Sequence, residues 1–185
     1  EVIKICSPTK GGVFIDCTFG GGGYSKKLLR FSKTQVIALD RDKYILKIAK
    51  ELEKKYPNRF SFFQKRFSEV DTVIKDQSVD VIIFDLGLSS IQLNNLTRGF
   101  SFKSKAKLDM SMGLNNLSAE EVVNNYSEQK LKLIIKVLGE EKDASNIARN
   151  IIKTRSLKKI TNVNQLVEII EKSKKRNFKK SINPS

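Results

Sequence analysis

The stretch DCTFGGGGYSKKLL, Asp16 to Leu29, decides the fold. It follows the short apolar run Val13 to Ile15 and leads into the amphipathic pattern Tyr24 to Phe31. Strand, glycine turn and helix in that order lay a nucleotide-like cofactor against the first crossover of a doubly wound sheet. Gly20, Gly21, Gly22 and Gly23 take every side chain out of the bend, so that backbone N–H groups can face a ligand. A tight turn that needs positive φ accounts for the glycines as well.

Asp16, directly after the strand, shifts the balance. A carboxylate there repels a pyrophosphate but suits the amino group of a methionine moiety. The glycine spacing also departs from the dinucleotide signature. The turn therefore favours S-adenosylmethionine over a nicotinamide cofactor.

The 185 residues suffice for one ordinary domain, or one domain with a modest appendage. A hydrophobic fraction of 39% with 11 Phe supports a packed core. The formal charge of +15, from 35 basic and 20 acidic residues, predicts attraction to a polyanion. Nucleic acid is favoured over a membrane because no long apolar or amphipathic basic anchor accompanies the charge, although lysine-rich surfaces are also ordinary. With two cysteines and no histidine, a zinc site of the usual kind and His-based acid–base catalysis are excluded, and no metal is expected. Cys17 reads as a small buried thiol. No signal peptide or spanning segment is visible, so a cytoplasmic location and no membrane partner are expected.

Val2, Ile3 and Ile5 end a helix before Pro8. After the glycine turn, Val36 to Leu39 is a second strand closed by Asp40, and Lys43 to Lys55 has a helical period. Arg59 to Gln64 reads as a third strand, Phe67 to Lys75 as a short helix, and Val79 to Phe84 as a buried fourth strand ending in Asp85. Strand and helix thus alternate at the spacing of a parallel sheet, the α/β class. The residues after Asp85 carry no long periodic run and read as a functional loop. Ser118 with Glu121 caps a helix, Glu128 to Leu138 and Glu141 to Lys153 form two more, and Asn162 with Gln165 starts a fourth. A basic run follows, with Lys172, Lys174, Lys175, Arg176, Lys179 and Lys180.

Three acids close three strands. Asp40 is placed to accept from ribose hydroxyls, and Asp40 or Asp42 can equally be a helix N-cap. Asp85 stands where ligands meet the crevice of such sheets, or is a turn residue. In Asp85 to Met112, Arg98 can pair with a phosphate, and Gln92 and Ser89 can bond a base edge. Phe100 and Phe102 can stack on a base or anchor the loop, and Asp109 is a cap or a substrate contact.

On these residues the chain resembles the bacterial small-subunit ribosomal RNA cytosine-N4 methyltransferases, the RsmH or MraW family. The matching pieces are DCTFGGGGYS at Asp16 to Ser25, LDRD at Leu39 to Asp42, FDLGLSSIQL at Phe84 to Leu93 and RGFSF at Arg98 to Phe102. LDM at Leu108 to Met110, LSAEEVVN at Leu117 to Asn124, LGEEK at Leu138 to Lys142 and IARNII at Ile147 to Ile152 continue it. The resemblance implies a Rossmann-like class I fold that binds S-adenosylmethionine, with an inserted helical domain. The implied activity is N4-methylation of one cytidine in the decoding region of 16S ribosomal RNA, within the small ribosomal subunit. It implies cofactor contacts at Asp16, Gly20, Gly21, Gly22, Gly23, Tyr24, Asp40, Phe67, Asp85 and Gln92. Asp85, Ser89 and Asp109 are the candidate catalytic groups, with Ser90 beside them.

The family pattern has histidine where Tyr24 stands, arginine at Ser111, acids at Asn94 and Asn95, and histidine at Asn183. It also continues beyond Ser185. The expected organisation is residues 1–112 for the cofactor domain, 113–180 for the inserted domain with its basic tail, and 181–185 for a truncated return to the core. The parallel sheet is then incomplete, with an unpaired edge. A homodimer is among the expected states. The competing readings are an inactive remnant that binds only RNA or cofactor, and a nicotinamide-dependent oxidoreductase on a similar fold.

Overall fold

The computed structural model describes residues 1–75, 78–114 and 117–174. Its contacts divide into two compact units, Glu1–Ile91 with Met112–Leu114, and Gln92–Ser111 with Asn115–Ser185.

The first unit opens with α1 (Val2–Ile5) and then alternates β1 (Gly12–Asp16), α2 (Gly23–Leu28), β2 (Thr34–Leu39), α3 (Leu46–Lys55), β3 (Phe60–Phe63) and β4 (Val81–Ile83). The strands are parallel, in the order β3-β2-β1-β4. This is the Rossmann-like α/β arrangement expected from the alternation of apolar runs. Register places Phe14 beside Val36 and Val81, and Asp16 beside Ala38 and Ile83. Because side chains alternate along a strand, Phe14, Val36 and Ala38 share one face. There they pack with Leu28, Ala49 and Leu52 from the helices. Ile15, Cys17 and Leu39 lie on the other, against Val70, Val73, Ile74 and Val79.

Three local expectations are corrected. The run Val79 to Phe84 reads as a buried strand, yet β4 has three residues, lies at one end of the sheet among the described residues and leaves Ile82 44% exposed. An apolar run signals apolar side chains and not how many neighbours cover them. Phe67–Thr72 is 3₁₀ rather than α-helical and is broken at Glu69 (φ −109°, ψ 17°). Beyond Asp85, a short helix α4 (Ser90–Asn94) and a 3₁₀ turn (Leu96–Arg98) occupy what reads as loop. Neither is long enough to show a period.

The second unit holds α5 (Ala119–Asn125), α6 (Glu128–Val137), α7 (Ala144–Leu157) and α8 (Val163–Ser173). Ser118 with Glu121 and Asn162 with Gln165 form the reciprocal caps that their spacing predicts. Leu108, Leu131, Ile147, Ile151 and Ile160 fill the core. Arg98 is buried, donates to the Ser111 carbonyl at 2.9 Å and lies 5.0 Å from the Phe100 ring centroid. It ties its own loop together, which corrects its reading as a phosphate ligand. Phe100 is accordingly an anchor, while Phe102 is exposed. Lys174 pairs with Glu141 at 2.6 Å. Lys175, Arg176, Lys179, Lys180 and residues 181–185 lie outside the described residues. No described helix is long and apolar enough to cross a membrane.

Candidate functional site

Asp16 ends β1 on the face that α2 covers, so its carboxylate is fully buried. One oxygen accepts from Ser25 Oγ of α2 at 2.7 Å and the other from the Thr18 N–H at 3.3 Å. Burial pushes its pKa up, the Ser25 hydroxyl and the Thr18 and Ser25 N–H groups pull it down, and the Asp40 charge raises it further, with burial winning. Next to it, burial and the Asp16 charge push the Cys17 thiol up to about 11.

The strand ends are tied to one another beyond the regular ladder. Cys17 N–H donates to the Ile83 carbonyl at 2.9 Å and Phe19 N–H to the Leu39 carbonyl at 3.0 Å. Asp40 Oδ2 accepts from the Gly20 N–H at 2.8 Å, and its Oδ1 from the Asp42 N–H at 2.9 Å. Asp42 is the helix N-cap, accepting from the Tyr44 N–H at 3.1 Å. The two acids thus divide the roles open to either: Asp42 caps and Asp40 holds the glycine turn. Thr18 Oγ1 accepts from the Asp85 N–H at 2.8 Å, which fixes the backbone after β4 and leaves the Asp85 side chain exposed.

The turn is shaped by its own packing. Gly22 has φ +74°, and a Cβ there would stand 2.9 Å from the Phe19 ring. At Gly23 a Cβ would meet nothing within 4 Å. Ser89 lies beside Gly20, where a Cβ would be 3.4 Å from its own. Tyr24 is half-buried against the first core. Phe67 meets Phe84 edge-on at 5.8 Å, and both are about half exposed. The first unit therefore brings together Asp16, Gly20 to Gly23, Tyr24, Asp40, Phe67, Asp85 and Ser89 around the carboxyl ends of its strands. Gln92, which is buried, and Asp109 belong to the second unit.

Sequence reasoning passed over Thr18, Ser25 and Phe84. A hydroxyl two residues beyond the strand-end acid was the available signal for Thr18. Nothing in the sequence pairs Ser25 with Asp16. Among the described residues Asp16, Asp40 and Asp85 form no ion pair. The rim is thus rich in hydrogen-bond acceptors and negative charge, and open backbone and aromatic edges adjoin it.

The model of the MraW methylase family matches residues 1–185, the whole chain. The chain belongs to the MraW methylase family. Among its relatives in that family, the ribosomal RNA small subunit methyltransferase H of Orientia tsutsugamushi (strain Ikeda) is 42% identical over 174 residues, 94% of this chain and 56% of that protein. The Rickettsia akari (strain Hartford) protein of the same name is 40% identical over 173 residues, again 94% and 56%. That of Ehrlichia ruminantium (strain Welgevonden) is 37% identical over 190 residues, 100% of this chain and 63% of that protein. The chain spans little more than half the length of these MraW relatives.

Proposed function

We propose that the protein is an S-adenosylmethionine-dependent methyltransferase acting on the exocyclic N4 of a cytidine in 16S ribosomal RNA of the small subunit. The observation that carries this reading is the 2.8 Å bond from the Gly20 N–H to Asp40. It makes the glycine turn and the acid of the second strand one rigid element, with Asp16 buried beneath it.

A rim with three acids and no ion pair among the described residues suits a ligand that carries an ammonium and a sulfonium and repels a pyrophosphate. That contrast argues for S-adenosylmethionine over a nicotinamide dinucleotide. Gly20 to Gly23 would hold the methionine end with Asp16 below. The second lone pairs of Asp40 would receive ribose hydroxyls, and Phe67 with Phe84 would flank the adenine. When bound, this cofactor supplies an electrophilic methyl group.

The lone pair of the cytosine amine is delocalised into its ring, so the protein's task is to align that amine and accept a proton from it. Asp85 is the group we assign to this role. It is exposed, its backbone is fixed by Thr18, and Ser89 adjoins the same turn. The base must be unpaired to reach such a site. Small-subunit ribosomal RNA as substrate follows what the relatives are called, N4 of a cytidine follows the family resemblance, and the substrate-holding domain is assigned to residues 113–180.

The test is calorimetric titration with S-adenosylmethionine together with methyl transfer to undermethylated small subunits. Binding with transfer is expected, and Asp85→Asn is expected to keep cofactor affinity while slowing transfer by about 100-fold or more. Unchanged transfer by that variant would remove Asp85 from the role. Absence of cofactor binding would sink the whole reading. A second reading, cofactor binding without transfer, is favoured by the outer edge of β4, which pairs with no strand among the described residues. Binding without transfer in the assay selects it.

A further inference from the structure

Between α7 and α8 lies a cavity of about 310 Å³ whose lining includes Lys153, Lys158, Lys159, Lys172, Gln165 and Glu168. We propose that this groove binds the sugar–phosphate backbone of single-stranded RNA, a contact within the second unit. The proposal rests on the reading that RNA is the substrate.

Four lysines and one glutamate line the groove. Glu168 is 3.9 Å from Lys172, and Lys159 is held at 2.6 Å by Glu120 outside the groove. Lys153 and Lys158 form no ion pair among the described residues, and both are exposed. Lys158 follows the carboxyl end of α7, where the helix dipole favours a cation. Lys153 lies within the helix, and that effect fades beyond the last turn. Its charge is therefore unspent on the fold. Ile160 and Ile169 make a firm apolar floor, both buried. Asn150, Thr154 and Gln165 add neutral polar groups around the cations.

The volume suits a nucleotide-sized group rather than a bare ion. Among the described residues no aromatic ring lines the groove, so these residues offer no stacking platform for bases. Cations with neutral hydrogen-bonding groups and no rings recognise phosphodiesters without reading sequence. An acidic peptide would satisfy the charges, but the chain's excess of +15 and the RNA reading of the first unit favour a polynucleotide.

The test is fluorescence anisotropy of the whole chain with an oligouridylate of about 12 nucleotides, from about 50 to 200 mM salt. The Lys153→Ala/Lys158→Ala variant is expected to bind more weakly and to lower the slope of log K against log salt by about 1.4, near 0.7 per lost contact. Its affinity for S-adenosylmethionine should not change. Glu168→Gln, which frees Lys172, is expected to tighten binding and serves as a gain-of-binding control that misfolding cannot imitate. Unchanged slopes in both variants, with wild-type binding intact, overturn the groove and leave RNA methylation standing. A polyglutamate of matched charge that displaces the oligouridylate equally well overturns the assignment to RNA, as does millimolar inorganic phosphate acting alone. No binding by the wild type overturns the groove, and methyl transfer to small subunits then decides the methylation reading separately. The expected slope change without any methyl transfer sinks only the methylation reading.

Discussion

Burial raises the pKa of Asp16, and the sign of that shift fixes what its charge does to stability. A carboxyl whose folded pKa exceeds its unfolded one helps the fold at low pH and loses that help as pH rises through the folded value. The window opens at the ordinary value of 3.8, above which the buried charge is a net cost. Asp16→Asn is therefore expected to raise stability at neutral pH and to flatten the decline that denaturant titrations should show across that window, while weakening S-adenosylmethionine binding. Ser25 keeps its contact because a hydroxyl can accept as well as donate. Cys17 follows the same sign at higher pH. Its thiol, raised from 9.0 to about 11, contributes stability that is present below 9 and lost as pH climbs through 11. Two pH units correspond to about 2 to 3 kcal/mol, at about 1.4 per unit. Cys17→Ala should lose part of that dependence, and iodoacetamide should leave Cys17 of the folded protein unmodified at pH 8. At this scale Asp16, Asp40 and Asp85 were legible because each ends an apolar run. The bonds from Ser25 and Thr18 were not, since they depend on which face a helix covers and on how two strand ends meet in space.

Local chemistry decides how far an element can be read. The starts of α5 and α8 were plain because Ser118 and Glu121, and Asn162 and Gln165, write both halves of a reciprocal cap three residues apart. Asn162 accepts from the Gln165 N–H at 3.0 Å, while Gln165 Oε1 accepts from the Asn162 N–H at 3.3 Å and from the Thr161 N–H at 2.8 Å. Asn162→Ala is expected to cost about 1 kcal/mol in urea unfolding, because it strips the first half of that exchange. Asn162→Ser should recover most of the loss. β4 resisted the same treatment. Its apolar run was visible, but Ile82 is exposed on a strand with one neighbour among the described residues, and sheet order is set by long-range pairing that no local window contains. The 3₁₀ segment after β3 and the short α4 escaped for a related reason, since one or two turns give periodicity too few positions to register.

Both units have apolar cores, two clusters on the sheet faces of the first and one in the second. Phe14, Leu28 and Leu39 belong to the first unit, and Leu131, Ile147 and Ile160 to the second. The sequence announces no linker between them, and residues 92–111, which lie in the stretch that reads as loop, cluster with the helices. Each core has its own apolar burial and its own polar ties, so the perturbations that act on one need not act on the other. A ligand that binds only the folded first unit stabilises it by mass action, about 2.7 kcal/mol at a hundredfold excess over Kd. Leu131→Ala opens a cavity in the second core and is expected to cost about 2 to 5 kcal/mol. Differential scanning calorimetry should then resolve two transitions, one raised by S-adenosylmethionine and the other lowered by Leu131→Ala. If a single transition moves with both, the units unfold as one and their independence is lost.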